Sequence, residues 1–334
     1  MSTGNPEILI EAEHVAEQSA GFGPEAPGIT ARSPMELFWR RFRSDKVAIA
    51  SLVFIILLIL AAVFAPLIVK LVGAPGPNVQ DIGALDPRFG TPTGPSLAHH
   101  HLFGVDPLGR DVFARVLYGA RVSLLVAFVA TGLSMIIGVV SGMVAGFFRG
   151  WTDTIISRLI DVLLAFPILL LALGLAAACS NAAGCLDGLI KPGLGDVIFV
   201  IAFVNWTYIA RIVRGQVLSL REKEFVEASR SLGASNRRII FKEILPNLVA
   251  PIIVYATLII PQNILFEAAL SFLGVGVQPP TASWGAMLAD ATTIYNTAWW
   301  YMLAPGLALL FTVLAFNLVG DGLQDALHPK AANS

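Results

Sequence analysis

Long runs of apolar residues alternate with short charged stretches along this chain of 334 residues. A bilayer core about 30 Å thick needs roughly 20 apolar residues in a helix to cross it. Six charge-free windows reach or approach that length: Val47–Val69, Val122–Phe148, Val162–Ala178, Val197–Ala210, Ile244–Phe266 and Ala291–Gly320. The fourth window is short and must borrow Gly193–Asp196 or let Arg211 snorkel. The pattern predicts an all-α polytopic membrane protein with six transmembrane helices.

Composition and charge agree with a membrane protein. Hydrophobic residues make up 56% of the chain and charged residues only 13%, whereas soluble domains carry about 25% charged residues. Cytoplasmic loops retain positive charge, which orients the chain. With the N-terminus inside, the inner segments hold sixteen of the 22 Lys and Arg residues and the outer loops hold six. We therefore expect both termini in the cytoplasm.

The chain before the first span divides into two parts. Residues 1–32 are acidic, contain Gly and Pro, and predict a disordered cytoplasmic tail. Residues 33–46 open with Ser33-Pro-Met-Glu36, which has the form of a capping box with Pro at the first helical position. Apolar side chains then share one helical face while arginines crowd the rest, which predicts an amphipathic helix on the inner leaflet. The alternative is a basic flank of the first transmembrane helix, predicted at 47–72.

An extracytoplasmic loop is predicted at 73–120, and a core with five further transmembrane helices at 121–329. The loop ends in Gly104-Val-Asp-Pro-Leu-Gly-Arg-Asp111. Pro107 disfavours helix before it, and Asp111 can cap the helix that follows. Two interpretations of Asp106, Arg110 and Asp111 remain open. Either they only fix this corner of the chain, or they form part of an outer gate or docking surface.

A charged segment at 211–247 separates the fourth and fifth windows. Phe225, Ser229 and Leu232 recur at i, i+4 and i+7, which gives a short helix one weakly apolar stripe. Gly233 then permits a sharp turn. A second helix is predicted from Asn236 to Glu243, and Pro246 marks the return into the bilayer. The sequence therefore predicts a helix–turn–helix suited to docking.

Charged residues within spans are costly and often functional. Glu267 lies toward the outer end of the fifth window, and either makes an interhelical hydrogen bond that fixes a dimer or lines a translocation path. Asp161 lies three residues after Arg158, which suggests a local ion pair. Both of these assignments follow from position along the chain alone.

Cysteine and histidine offer two further candidate sites. Cys179 and Cys185 are the only cysteines, and both lie on the predicted outer side, so a small disulfide is plausible. His99, His100 and His101 are adjacent and therefore cannot all face one ion on regular structure. No metal site is predicted there.

Several motifs carry a family resemblance that extends from about residue 34 to residue 329. Glu227-Ala-Ser229, then Gly233, then Ile244-Leu-Pro246 resemble the EAA loop of ATP-binding-cassette (ABC) importer permeases, with Ser229 in place of the usual second alanine. The longer run from Arg214 to Ser235 is similar to the C-type permease subunit of the oligopeptide/dipeptide branch. Three other blocks agree: Phe103–Asp111, Leu270–Pro280 with Ser283-Trp-Gly285, and Ala315–Ala326.

The resemblance implies a type I ABC importer permease fold in the cytoplasmic membrane of a prokaryote. It implies a heterodimer with a second permease, two cytoplasmic ATPase subunits, and an extracytoplasmic solute-binding protein that the outer corner could receive. The residues that it assigns to ATPase coupling are Glu224, Phe225, Glu227, Ala228, Ser229, Leu232 and Gly233. ATP and magnesium would be used by the partners, no cofactor is expected on this chain, and no nucleic acid is expected among its partners.

An enzyme is not expected, because the chain has no Gly-Lys-Ser/Thr of a P-loop and no hydrolase or zinc-protease motif. The competing hypothesis is a secondary transporter or channel that works without ATP, for which internal repeats and mid-membrane ion sites would be typical. The resemblance also leaves the substrate open among dipeptides, oligopeptides, glutathione, nickel chelates and sugar derivatives.

Overall fold

A computed structural model describes residues 34–96, 101–180, 184–185, 188–190 and 192–327. The predicted tail at 1–32 and two of the three histidines, His99 and His100, lie outside these residues. The described chain is built of α-helices, numbered here in order: α1 Pro34–Ser44, α2 Lys46–Val63, α3 Ala65–Val72, α4 Val112–Phe148, α5 Gly150–Ala165, α6 Ile168–Cys179, α7 Leu194–Arg221, α8 Glu224–Ser231, α9 Asn236–Arg238, α10 Leu245–Phe272, α11 Trp284–Ala291 and α12 Trp299–Leu327.

The helices that can cross a bilayer run between two ends of a bundle. We call the end that contains residues 80–96 and 101–111 the corner end, and the end that contains residues 222–238 the loop end. Within the described ranges, five helices are long and apolar enough to span, or six if the bent pair α5 and α6 forms one span. This agrees with the predicted all-α polytopic fold, and the count of six spans requires that the bent pair be one span.

The first part of the chain forms three consecutive helices, α1 to α3, which are separated at Asp45 and Phe64. Helix α1 ends at Ser44, and α2 begins after Asp45, whose carboxylate accepts hydrogen bonds from the backbone N–H groups of Val47 and Ala48. Phe42, near the end of α1, is buried in a cluster with Ala48 of α2 and Ala326 of α12. The amphipathic helix is therefore fastened to the first and last spans at their loop ends.

The predicted third span is not one straight helix. Helices α5 and α6 are bent by 91° relative to each other at Phe166 and Pro167. Proline lacks a backbone N–H and clashes with the preceding turn, so a straight helix cannot continue through this point. Window hydropathy does not register this break, since both flanking segments are apolar.

Two helices extend past the ends of their charge-free windows. Helix α4 begins at Val112, so the predicted outer loop at 73–120 ends nine residues too late. Helix α7 begins at Leu194, within the borrowed flank, and continues to Arg221. The first eleven residues of the predicted 211–247 segment therefore belong to α7. Hydropathy stops reporting a helix when it leaves the bilayer, although its backbone hydrogen bonds continue.

The remaining boundaries differ for local reasons. Residues 239–244 form a π-helical turn that joins α9 to α10, so the chain is helical from Asn236 to Phe272 and does not break at Pro246. The π-turn immediately precedes Pro246, which lies in the first turn of α10. The last span begins at Trp299, after a turn segment at 292–298, and not at Ala291.

Two spans approach each other closely at a glycine seam on α4, formed by Gly138, Gly142 and Gly146. A Cβ atom added at Gly142 would lie 2.6 Å from the carbonyl oxygen of Ala210 and 2.8 Å from Cβ of Val213 on α7. At Gly138 and Gly146 an added Cβ would lie within 2.6–2.8 Å of Cβ of Ile209 and Val217. Small residues four apart let two membrane helices approach to backbone contact, where dispersion and weak hydrogen bonds hold them together.

We expect Gly142→Ala to lower the free energy of unfolding by about 1–3 kcal/mol, because a methyl group cannot displace the Ala210 carbonyl. Thermal denaturation of the purified permease in detergent measures the effect. The matched control is Gly132→Ala on the same helix, where an added Cβ meets nothing within 4 Å. The control should be neutral or stabilising, since Ala is the better helix former. Equal behaviour of the two variants would contradict the seam.

Candidate functional site

The loop end carries the segment that the sequence assigns to coupling. Helix α8 spans only eight residues, and its end is closed by a turn in which Gly233 has φ +76°. Gly233 N–H donates to the Arg230 carbonyl at 2.9 Å, and Ala234 N–H donates to the Ser229 carbonyl at 3.0 Å. These bonds satisfy carbonyls that the end of a helix leaves free. The helix–turn arrangement predicted from the sequence is thus present.

A single side chain fixes α8 to the rest of the protein. Val226 is fully buried in a cluster that includes Val217 of α7, Ile239 and Ile244 of the π-turn, and Leu248 of α10. Most of the predicted coupling residues face away from that cluster and are exposed: Glu224, Phe225, Glu227, Ala228, Leu232 and Gly233. Ser229 is half-buried.

The largest apolar surface on α8 is therefore unpaired. Leu232 is 88% exposed and Phe225 is 38% exposed, although both are large apolar side chains on a water-facing segment. Exposing them costs hydrophobic free energy that a partner surface would recover. The predicted stripe of Phe225, Ser229 and Leu232 is thus largely an outward face, and the inward anchor is Val226.

Ion pairs tie the base of this segment to the neighbouring helices. Arg149, in the connection between α4 and α5, pairs with Glu222 just after α7. Arg214 of α7 donates hydrogen bonds from Nε and Nη2 to the two carboxylate oxygens of Asp153 on α5. Arg221 donates to the Phe147 carbonyl at the end of α4. The loop end is therefore one connected unit of α4, α5 and α7.

The predicted local pair of Arg158 and Asp161 is replaced by a contact between helices. The Asp161 carboxylate accepts a hydrogen bond from Arg211 Nη2 of α7 at 2.6 Å. The bend between α5 and α6 keeps α5 beside α7, which brings Asp161 within reach of Arg211. A cavity of about 360 Å³ is lined here by Ser157, Ile160, Asp161, Arg211 and Arg214.

At the corner end, Asp106 and Arg110 form a buried ion pair. Arg110 Nε lies 2.6 Å from Asp106 Oδ2, and Asp106 Oδ1 accepts the backbone N–H groups of Leu108 and Arg110 at 2.9 Å. Arg115 of α4 approaches the same carboxylate, with Nε 3.6 Å from Oδ2. All three charged side chains are buried, and they meet groups of their own chain. This geometry favours a corner-fixing role over an exposed docking surface.

The neighbouring Asp111 caps α4, as the sequence predicted. Its Oδ1 accepts the Ala114 N–H at 2.7 Å, and its Oδ2 lies 2.8 Å from Nδ1 of His101. The pKa of the Asp111 carboxyl is raised, because the effect of burial is larger than the opposing effects of the Ala114 N–H and the His101 ring. His101 also approaches Asp81, with 3.5 Å between Nε2 and Oδ2. The one described residue of the histidine triplet thus joins the corner through carboxylates.

Glu267 is fully buried between spans. Its two carboxylate oxygens accept hydrogen bonds from Ser123 Oγ of α4 and from Ser271 Oγ of its own helix, each at 2.7 Å. Ser271 Oγ in turn accepts the Val277 N–H at 3.0 Å. The interhelical bond is made within the chain rather than to a second subunit, and the carboxylate has no exposed surface toward a path.

Cys179, at the end of α6, is joined to Cys185 by a disulfide. The disulfide closes a short loop between these two residues. Backbone hydrogen bonds between Cys185 and Ile190 hold the chain that follows it. Both cysteines are buried in a cluster with Val197 and Val200 of α7. The loop therefore secures the corner ends of α6 and α7.

Sequence reasoning missed several residues of both ends. Val226 could not be identified from hydrophobic periodicity, because α8 has only one inward apolar position and a period requires several. Asp290 and Tyr301, which extend the corner cluster, are distant in sequence: Tyr301 donates to Asp290 at 3.2 Å, and Arg110 Nη2 lies 4.0 Å from Asp290. The glycine seam did leave a signal, the spacing of four between Gly138, Gly142 and Gly146.

Two protein families match the chain. Residues 138–333 match the family described as binding-protein-dependent transport system inner membrane component. Residues 33–86 match the N-terminal TM domain of oligopeptide transport permease C. The first match contains the loop end and the seam, and the second contains α1 to α3.

Curated relatives match nearly the whole chain. The dipeptide transport system permease protein DppC of Alkalihalophilus pseudofirmus is 42% identical over 310 residues, which cover 92% of this chain and 93% of that protein. The di/tripeptide transport system permease protein DppC of Pseudomonas aeruginosa is 40% identical, with coverage of 92% and 96%. The glutathione transport system permease protein GsiD of Escherichia coli O157:H7 is 43% identical, with coverage of 90% and 91%.

Solved structures agree on the fold. Two inward-facing crystal forms of the MetNI methionine ABC transporter superpose with TM-scores of 0.52 and 0.54 at 20% sequence identity. They cover 64% and 65% of this chain, and 96% and 97% of their own. At this identity the likeness concerns the fold alone, which is that of a type I ABC importer permease.

We expect Gly233→Val to loosen the turn after α8, because a β-branched residue at φ +76° costs about 1–2 kcal/mol. Trypsin cleavage at the Lys and Arg residues of 223–238, in vesicles that expose this end, should accelerate roughly tenfold. The control is Gly233→Asn, since Asn adopts the left-handed region more readily. No neighbouring atom lies within 4 Å of an added Cβ, so the difference isolates backbone strain. Equal cleavage rates would refute it.

Proposed function

The chain belongs to the family of binding-protein-dependent transport system inner membrane components, and from that membership we propose that it is the permease subunit through which an ATP-driven importer moves peptides across the cytoplasmic membrane. The names of the relatives support the substrate class, because they describe transport of dipeptides, di- and tripeptides, and glutathione. All three are small solutes that contain an amide backbone. Short peptides are therefore the cargo proposed for this chain.

The complete transporter would contain a second permease subunit, two cytoplasmic ATPases and an extracytoplasmic solute-binding protein. ATP and magnesium would be bound by the ATPases. The distribution of Lys and Arg supports a loop end in the cytoplasm, where the ATPases lie, with both termini on the same side. The corner end would then face the binding protein.

The observation that carries the proposal is the outward apolar face of α8. We infer that Phe225, Ala228 and Leu232 fill a groove on an ATPase subunit, and that Glu227 pairs with a basic group at its rim. A helix that lays an apolar face into a groove is a common mode of recognition. Few large side chains usually supply most of the binding free energy at such a contact.

Coupling requires that movement of α8 reach the membrane. Val226 lies in one buried cluster with residues of α4, α7, the π-turn and α10, so α8 cannot shift without displacing these helices. Gly233 allows the chain to reverse direction without disturbing that cluster. When the ATPases close on ATP, the displacement of α8 would tilt α7 and α10 and open the path to the other side.

We expect Leu232→Ser to weaken copurification of the ATPase subunits about tenfold to a hundredfold, because burial of a leucine side chain is worth about 1.5–3 kcal/mol. Peptide uptake by membrane vesicles should fall with it. The control is Leu189→Ser at the corner end, where the leucine is 80% exposed and lies far from α8. Full ATPase association and normal uptake in the Leu232 variant would overturn the docking role, and uptake without any ATPase would favour a secondary transporter.

A further inference from the structure

Three polar side chains meet in the interior of the bundle, where α4, α7 and α10 adjoin. Asn205 of α7 donates a hydrogen bond from Nδ2 to Oδ1 of Asn263 on α10. Asn263 Nδ2 donates to Thr131 Oγ1 of α4 at 2.7 Å. Asn263 and Thr131 are buried, whereas Asn205 is half-buried. The next residue to Asn263 is Gln262, whose side chain is exposed.

These amides lie near the middle of the bilayer. Asn205 is eleven residues from Leu194 at the corner end of α7, a distance of about 16 Å along the helix axis. Gln262 is ten residues from Phe272 at the corner end of α10, or about 15 Å. Half the thickness of the hydrocarbon core is also about 15 Å. Two uncharged amides therefore present exposed surface at nearly the same depth.

An exposed amide at this depth does not fit a lipid-facing surface. Transfer of an unpaired amide from water to hydrocarbon costs roughly 4–8 kcal/mol. Within the described part of the chain, the Gln262 amide has no hydrogen-bond partner. Polar side chains in spans face the interior of a bundle or a water-filled cavity.

We propose that Asn205 and Gln262 line the translocation path at mid-bilayer depth and form hydrogen bonds with the backbone of the transported peptide. The proposal rests on the peptide permease function proposed above and names a contact site for that substrate. An amide side chain both donates and accepts hydrogen bonds, as a peptide backbone does. Because the groups are neutral, they would bind peptides without selecting the charge of their side chains.

The buried members of the cluster act as positioning residues. Asn263 donates to Thr131 and accepts a hydrogen bond from Asn205, and so fixes the position of the Asn205 amide. Glu267, one helical turn from Asn263, is fully buried and bonded to serines, so its charge is withheld from this surface. Weak neutral contacts suit a path, since a solute must also leave each site.

The test uses single cysteines in the assembled transporter, reconstituted with both permeases, the ATPases and the binding protein. The two native cysteines are joined to each other, so an introduced thiol is the only free one on this chain. Asn205→Cys and Gln262→Cys should react with a charged, water-soluble methanethiosulfonate, because only the thiolate in water attacks it. Leu57→Cys is the matched control: Leu57 is 59% exposed on α2, eleven residues from its start, and should react at least tenfold more slowly.

Dialanine supplied with binding protein and ATP should slow modification of both cysteines at least threefold. Gln262→Leu should lower dialanine uptake per ATP hydrolysed about two- to tenfold, because the variant loses one hydrogen bond to the peptide. Unreactive cysteines at 205 and 262 would overturn the proposal, since a second permease or lipid would then cover them. Reaction without protection by dialanine, together with unchanged uptake per ATP, would overturn it equally. If the binding protein does not stimulate ATP hydrolysis by the unmodified transporter, the permease function itself is refuted.

Discussion

The close approach of α4 and α7 is the contact on which the other features depend. Gly138, Gly142 and Gly146 bring the two backbones together over two helical turns, so that side chains of α7 rest directly on α4. This pair then sets the positions of Arg214 and Arg221, and through them of α5 and the connection to α8. It also brings Thr131 and Asn205 to the same depth beside Asn263. Larger side chains at the three glycines would push α4 and α7 apart and so disconnect the loop end from the interior of the bundle.

The two ends of the bundle use different chemistry. At the corner end, the carboxylates of Asp106 and Asp111 are buried and accept hydrogen bonds from their own chain. At the loop end, the ion pairs Arg149–Glu222 and Arg211–Asp161 are about half exposed. Large apolar side chains are exposed at both ends, among them Leu232 at the loop end and Leu189 at the corner end. The contrast between the two ends therefore lies in the burial of their charges.

The sequence predicted the helical class, the spans and the helix–turn segment that follows α7, because these depend on composition and on local turn chemistry. It placed the ends of α4 and α7 less well, because both helices continue past their charge-free windows, where the apolar signal ends but the backbone hydrogen bonds do not. The bend at Pro167 and the continuation of the helix through Pro246 show that a proline alone does not decide where a helix ends. Val226, Asp290 and Asn263 escaped notice because their importance lies in contacts between distant segments.

The unequal burial of the ion pairs has a consequence for the response to salt. The Arg110–Asp106 pair has side chains only 9% and 0% exposed, whereas the Arg211–Asp161 pair is 52% and 53% exposed. Mobile ions screen charges in water over about 8–10 Å at physiological ionic strength, and they reach buried charges far less. Rising ionic strength therefore weakens the electrostatic ties of α5 to α7 more than it weakens the Asp106 corner. The bundle loosens first at its loop end.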